Sequence, residues 1–195
     1  MSSDLSLEKH VSAVSATCFF RVRQSLDVGS AKTLVQAFVT SCVDYCNAVL
    51  AELPRVITDK LQRVMNSAAR VITDTRKYNS GLSRLMHDEL HWLDVTDRVR
   101  FKLAVLMYPC HHGIAPPYLM DSCTLTAEIT GRQHLRSATQ RKLAVPRYRS
   151  NSFGRRRFSV AGPSTWNSLP DSFRDPELSL DTFKRQLKTC IFARY

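Results

Sequence analysis

"NSFGRRRFSVAGPSTWNSLP", residues 151–170, sets three consecutive arginines beside a phenylalanine, a Gly-Pro pair and a tryptophan. A freely solvated charge run has no need of Phe158, Val160 and Trp166, and a buried segment does not tolerate Arg155, Arg156 and Arg157. The combination suits a structured lip whose apolar residues anchor it while its arginines face an anion. As local structure, "RFSVAG" (157–162) and "KLAVPRYR" (142–149) read as short strands or extended loop, separated by "SNSFG" (150–154).

The surrounding sequence makes this stretch part of a larger basic region. The chain carries a formal net charge of +11 and a sequence pI near 9.7, a balance that points to nucleic acid, an anionic membrane or an acidic partner. Nine Arg or Lys residues and no acid lie between Arg132 and Arg157, and no Asp or Glu occurs between Glu128 and Asp171. The other nineteen of the 28 basic residues stand against seventeen acidic ones, so the excess is regional and reads as a working surface. Tyr148, Phe153, Phe158 and Trp166 are interleaved with it. Aromatic faces stack on bases or anchor the lip, and guanidinium forks grip phosphates in pairs. No amphipathic helix with a bulky apolar face accompanies these charges, so no membrane partner is expected.

Upstream, the apolar spacing is helical. Leu7, Val11, Val14, Cys18 and Val22 share one face of a helix expected from Ser6 to Ser25. Leu34, Phe38, Tyr45 and Val49 mark a second, with Ser30 as its N-cap after "DVGS". Pro54 suits the first turn of a third, carried by Ile57, Leu61, Val64, Ala68 and Ile72. A short helix ending near Trp92 follows "RKYNSG", and then one with Val95, Val99, Leu103 and Leu106 inward, closed by Gly113 and "APP". Pro109 inside that pattern should kink the helix or end it early. After Thr124 the helical period vanishes until a last helix with Ser179 as cap and Leu180, Phe183, Leu187 and Ile191 at helical spacing. The expected fold is mainly α: a helical bundle over 1–123, then a basic irregular region with a closing helix over 124–195.

Catalytic signatures are missing from the sequence. It has no G-x-S-x-G, no P-loop and no G-x-G-x-x-G, and no adjacent aspartate pair that could hold two metals. "HDELH" places His87 and His91 four residues apart, as zinc proteases do, but the base position holds Asp88 and no third ligand is evident. Cys42 and Cys46 in "SCVDYC" and the trio Cys110, His111 and His112 read as packing residues in the same way. No metal and no cofactor is expected. Six cysteines without framework spacing, behind an amphipathic, charged start rather than a signal peptide, imply reduced thiols in an intracellular compartment.

Seven strings then line up in order: "VDYCNAVLAELP" (43–54), "LQRVMNSAARVI" (61–72), "ELHWL" (89–93), "HGIAPPYL" (112–119), "LAVPR" (143–147), "FGRRRFSVAGPSTWNSLP" (153–170) and "FKRQLKTCIF" (183–192). Together, from about Leu5 to Phe192, they resemble the C-terminal part of the reverse transcriptase encoded by non-LTR (LINE, jockey-like) retrotransposons. The resemblance implies a helical thumb plus the region downstream of it, without the palm whose paired aspartates bind the catalytic metals. It therefore implies a truncated RNA-directed DNA polymerase with no polymerase activity as it stands. A thumb of this family packs helices on the template–primer duplex by backbone contacts, which agrees with the regional basicity. The sequence departs from the family at Asp94, where Pro commonly follows "HWL", and at Pro109 and His111, where Lys and Leu are common. These departures look like drift in a decayed copy.

The expected phosphate contacts are Arg136, Arg141, Lys142, Arg147, Arg149, Arg155, Arg156 and Arg157, with Lys60, Arg63 and Arg70 on the third helix as second choices. Phe158 and Trp166 are expected as anchors first and stacking platforms second. The partner is RNA, DNA or their hybrid, bound without sequence preference. The alternative is a helical protein-interaction remnant whose face, once covered by the palm, binds another protein.

Overall fold

A computed structural model describes residues 25–76, 79–149 and 154–195. The helix expected from Ser6 to Ser25, with Leu7, Val11, Val14, Cys18 and Val22, lies outside them apart from Ser25, as do Lys77, Tyr78 and Phe153. The described residues are mainly helical, as expected, and fall into two compact units. One holds the residues up to Tyr45 together with Lys60–Trp92, the other Cys46–Asp59 together with Leu93–Tyr195. Residues 93–123 and 124–195 thus belong to one unit.

In the first unit, α1 (Val28–Val35) is capped by Asp27, not by Ser30: the Asp27 carboxylate accepts from Gly29 N at 2.9 Å and from Ser30 N at 3.3 Å. The Ser30 side chain first, and then these two backbone bonds, hold the carboxyl below its ordinary range. A π-turn, Gln36–Thr40, follows directly, then α2 (Ser41–Asp44). One extra residue in the turn rotates every later side chain by about 100° relative to a continuous α-helix. The buried positions are therefore Ala31 and Val35 before the turn and Thr40 and Val43 after it begins to shift the face, while Phe38 is 66% and Tyr45 81% exposed. The chain leaves the helix at Tyr45, and Cys46 turns left-handed with φ 51°. The expected stripe Leu34, Phe38, Tyr45 and Val49 does not form.

α3 (Arg55–Thr73) starts directly after Pro54, as expected, with its first five residues counted in the second unit. Its buried stripe is Thr58, Met65, Ala68, Ala69 and Ile72, with Leu61 half-buried. Ile57 and Val64, expected inward, lie on the exposed side. Thr58 enters the stripe because its hydroxyl donates to Arg55 O at 3.1 Å, which satisfies its polar group within the helix. α4 (Leu82–Arg84) runs into a π-turn at Leu85–Glu89, and Trp92 closes the segment by donating N–H to Met86 O at 2.8 Å.

The second unit is built on α5 (Val95–His111), which buries Val95, Val99, Leu103, Ala104, Met107, Tyr108 and Cys110. The helix runs through Pro109 instead of ending there. Pro109 is the third residue from the end of the helix, and its carbonyl accepts from Ile114 N at 2.9 Å behind the left-handed Gly113. Proline's carbonyl thus serves the helix end that its missing N–H would weaken further inside. α6 (Pro117–Met120) and α7 (Arg136–Thr139) are single turns. "KLAVPRYR" contributes one antiparallel bridge, Leu143 to Leu125, and no strand.

"RFSVAG" belongs to neither strand nor loop: Phe158–Asn167 is α8. Tertiary packing overrides the poor helix propensity of Gly162 and Pro163. A Cβ at Gly162 would stand 2.5 Å from Met107 Sδ, so glycine is what lets α8 approach α5 this closely. α9 (Leu180–Phe192) is capped by Ser179, whose Oγ accepts from Thr182 N at 3.4 Å, and buries Phe183, Leu187 and Ile191 as the spacing predicts, whereas Leu180, expected inward with them, is exposed in the first turn. Phe183 is the hub of the core, with ring centroids 5.0 Å from Tyr108 and 5.8 Å from both Trp166 and Phe173.

Candidate functional site

The basic segment is fastened to the second unit at identifiable points. Trp166 is fully buried, 5.0 Å from the His111 ring, so it is an anchor and presents no face to a stacking base. Phe158 is half-buried and packs against the cluster of Ala51, Val99, Leu103 and Ala161. The arginines precede the first turn of α8. Arg155 is exposed, donates Nε to Tyr148 Oη at 2.9 Å and stands 5.7 Å from that ring's centroid. Arg156 is half-buried and donates Nη2 to Val49 O at 3.4 Å. Arg157 is exposed at the N-cap position. Of the three, Arg156 is partly committed to structure, which narrows the surface expected from the sequence.

Arg136, Arg141, Arg147 and Arg149 are exposed and Lys142 half-buried, all in the same unit as Arg155–Arg157. Lys60 and Arg63 are exposed and Arg70 half-buried on α3, in the other unit.

One arginine that sequence reasoning missed organises the region. Arg174 is 2% exposed. Its Nε donates to Gln140 O at 2.8 Å, its Nη1 to Trp166 O at 3.2 Å and to Leu169 O at 2.7 Å, and its Nη2 to the Asp171 carboxylate. It therefore ties the end of α8 to the loop after α7. Flanked by Asp171 and Asp175, it reads in sequence as an ordinary solvated charge, and no spacing signals its burial.

The other candidate chemistry does not assemble. The helical turn carrying His87 ends before His91, which has φ 52°, so the two do not share a helical face. His87 Nδ1 lies 2.8 Å from Trp92 O, which assigns it the donor proton. Cys42 and Cys46 are exposed, and Cys46 lies beyond the helix end. Among the described residues no group of three or more His, Cys, Asp and Glu is placed to hold a metal ion. His111 is held neutral down to about pH 4, first by burial and then by the charge of Arg141. Burial likewise pushes the Cys123 thiol up to about 12 and raises that of Cys110. Cys110 is buried and Cys123 half-buried, and both read as packing residues, not nucleophiles. Among the described residues no helix is long and apolar enough to cross a membrane.

Comparison with protein-family models, with curated proteins and with solved structures finds no match for this chain.

Proposed function

We propose that this chain holds RNA, DNA or an RNA–DNA hybrid through phosphate contacts, without reading bases and without carrying out nucleotidyl transfer. In this reading it is the thumb and downstream region of a non-LTR retrotransposon reverse transcriptase, and the chemistry belongs to a palm whose aspartates this sequence does not contain. The observation that carries the proposal is the concentration of unbalanced charge. Nine Arg or Lys residues between positions 132 and 157 face no acid within the segment, and Arg136, Arg141, Arg147, Arg149, Arg155 and Arg157 are exposed. A duplex neutralised by such groups releases condensed counterions, so affinity comes from the backbone and is independent of sequence. The ordered run of seven strings that resembles the family supports the same assignment.

The test is binding of the full chain to a labelled RNA–DNA hybrid, compared with the Arg155→Ala/Arg157→Ala variant. Arg156 is left in place because of its bond to Val49 O. Loss of affinity in the variant at unchanged fold supports the proposal, and equal affinity removes these arginines from the interface.

A second reading has its own observation. Phe38 and Tyr45 in the first unit are 66% and 81% exposed, as suits a surface that meets another protein. Association that persists unchanged at high salt, in a chain that binds no nucleic acid, favours this reading over the first.

A further inference from the structure

α7 closes in a turn where an arginine occupies the position that usually takes glycine. Lys142 N donates to Ser137 O at 3.0 Å and Arg141 N to Ala138 O at 3.1 Å, the two bonds of a Schellman closure. The residue that must turn left-handed is Arg141, with φ 53°, a conformation glycine adopts without steric cost. Such strain persists only where the surroundings over-determine it, and it clusters at functional positions.

The surroundings here are two side chains that pin the backbone on either side. Arg174 donates to Gln140 O, immediately before the strained residue. Asn167 grips Leu143 twice: its Oδ1 accepts from Leu143 N at 2.9 Å and its Nδ2 donates to Leu143 O at 2.8 Å. Between these fixed points stand Arg141, exposed, and Lys142, half-buried. The charges around them are mainly basic. After burial, it is the charge of Arg141 that most opposes protonation of His111, and the Asp171 carboxylate is engaged by Arg174.

We infer that Arg141 and Lys142 form a rigid docking point for one phosphate of a nucleic-acid backbone, with Arg174 and Asn167 as positioning residues that act through the main chain. The inference rests on the nucleic-acid reading above and names the place in the basic segment where a phosphate is gripped most firmly. A rigid donor loses less conformational freedom on binding than an arginine on mobile backbone.

The experiment uses the full chain, with hybrid affinity read across a salt series and the urea midpoint read beside it. Arg141→Gly relieves the left-handed residue and removes the charge. It is expected to unfold at the same urea concentration or higher, to bind about ten-fold more weakly, and to flatten the log–log salt slope by about 1. Arg141→Lys restores most of the slope. Asn167→Ser weakens binding in the parent and adds nothing in the Arg141→Gly background, because its effect passes through Arg141. A parent that binds and an Arg141→Gly variant that matches it in affinity and slope overturn the docking point alone. A lower midpoint for Arg141→Gly with unchanged binding assigns Arg141 to the helix end and overturns it too. Equal losses from Asn167→Ser in both backgrounds make Asn167 purely structural and overturn its positioning role. A folded parent that binds no hybrid overturns the nucleic-acid reading itself.

Discussion

Gly162 of α8 lies so close to Met107 of α5 that a Cβ on the glycine would stand 2.5 Å from the methionine sulfur and 3.4 Å from its Cγ. Met107 is fully buried and has little space to retreat into. This approach seats the helix that follows the three arginines, and it turns a segment with two helix-breaking residues into a packed element.

Gly162→Val should therefore destabilise the chain by about 1–3 kcal/mol, the usual cost of overpacking. Part of the loss should return when Met107→Ala is added, because the smaller side chain vacates the space the new methyls need. Urea unfolding of the two single variants and the double variant measures this coupling. Strict additivity would mean that α8 does not cross α5 at this pair.

The arginines of "GRRRF" should separate by role. Arg156→Ala loses the bond to Val49 O and should cost about 1 kcal/mol of stability. Arg157→Ala, at an exposed position, should leave the unfolding midpoint within about 0.5 kcal/mol of the parent. Equal midpoints for the two variants would contradict the division.

Acid should weaken the fold through His111. The imidazole takes its proton near pH 6.5 when unfolded but only near pH 4 in the fold, so between those values the unfolded state binds more protons. Stability then falls as pH drops through that window and is fully present above it. Urea midpoints at pH 7.5 and pH 5 should show a drop for the parent and a smaller one for His111→Gln. A parent midpoint that is flat or higher at pH 5 contradicts the burial of a neutral ring.

Thiol reactivity should divide the cysteines. Cys42 and Cys46 are exposed, whereas the Cys123 thiol is pushed up to about 12 by burial. Alkylation of the native chain at pH 8, followed by mass spectrometry, should label the first two well before Cys123. Early modification of Cys123 would place it outside the core.

How much of this was legible in the sequence depended on whether the cause was local. α9 was legible apart from its first residue: Ser179 caps it and Phe183, Leu187 and Ile191 repeat at helical spacing, while Leu180, expected with them, is exposed. The face of the second expected helix was not, because the π-turn at Gln36–Thr40 adds a residue that no local signature marks. Its apolar Phe38 and Tyr45 looked like core and are exposed. In α3 the more apolar Ile57 and Val64 outweighed Thr58 and Met65 in the pattern, while the fold chose the face on which a threonine can satisfy itself. α8 could not be read from Gly162 and Pro163, since what makes it helical is contact with α5, distant in sequence. At the candidate site the cluster of basic residues was legible, but its support was not. Arg174 and Asn167 act on backbone atoms 34 and 24 residues away, and neither carries a recognisable spacing.

The measurement that tests the central claim most directly is the salt dependence of hybrid binding by the full chain, with its fold monitored in the same buffers. If about six basic side chains meet duplex phosphates, the logarithm of the affinity should fall linearly with the logarithm of salt at a slope of about −5, alike for unrelated sequences. A folded chain that fails to bind, or binds with a slope near zero, would contradict the assignment of the basic segment to nucleic acid.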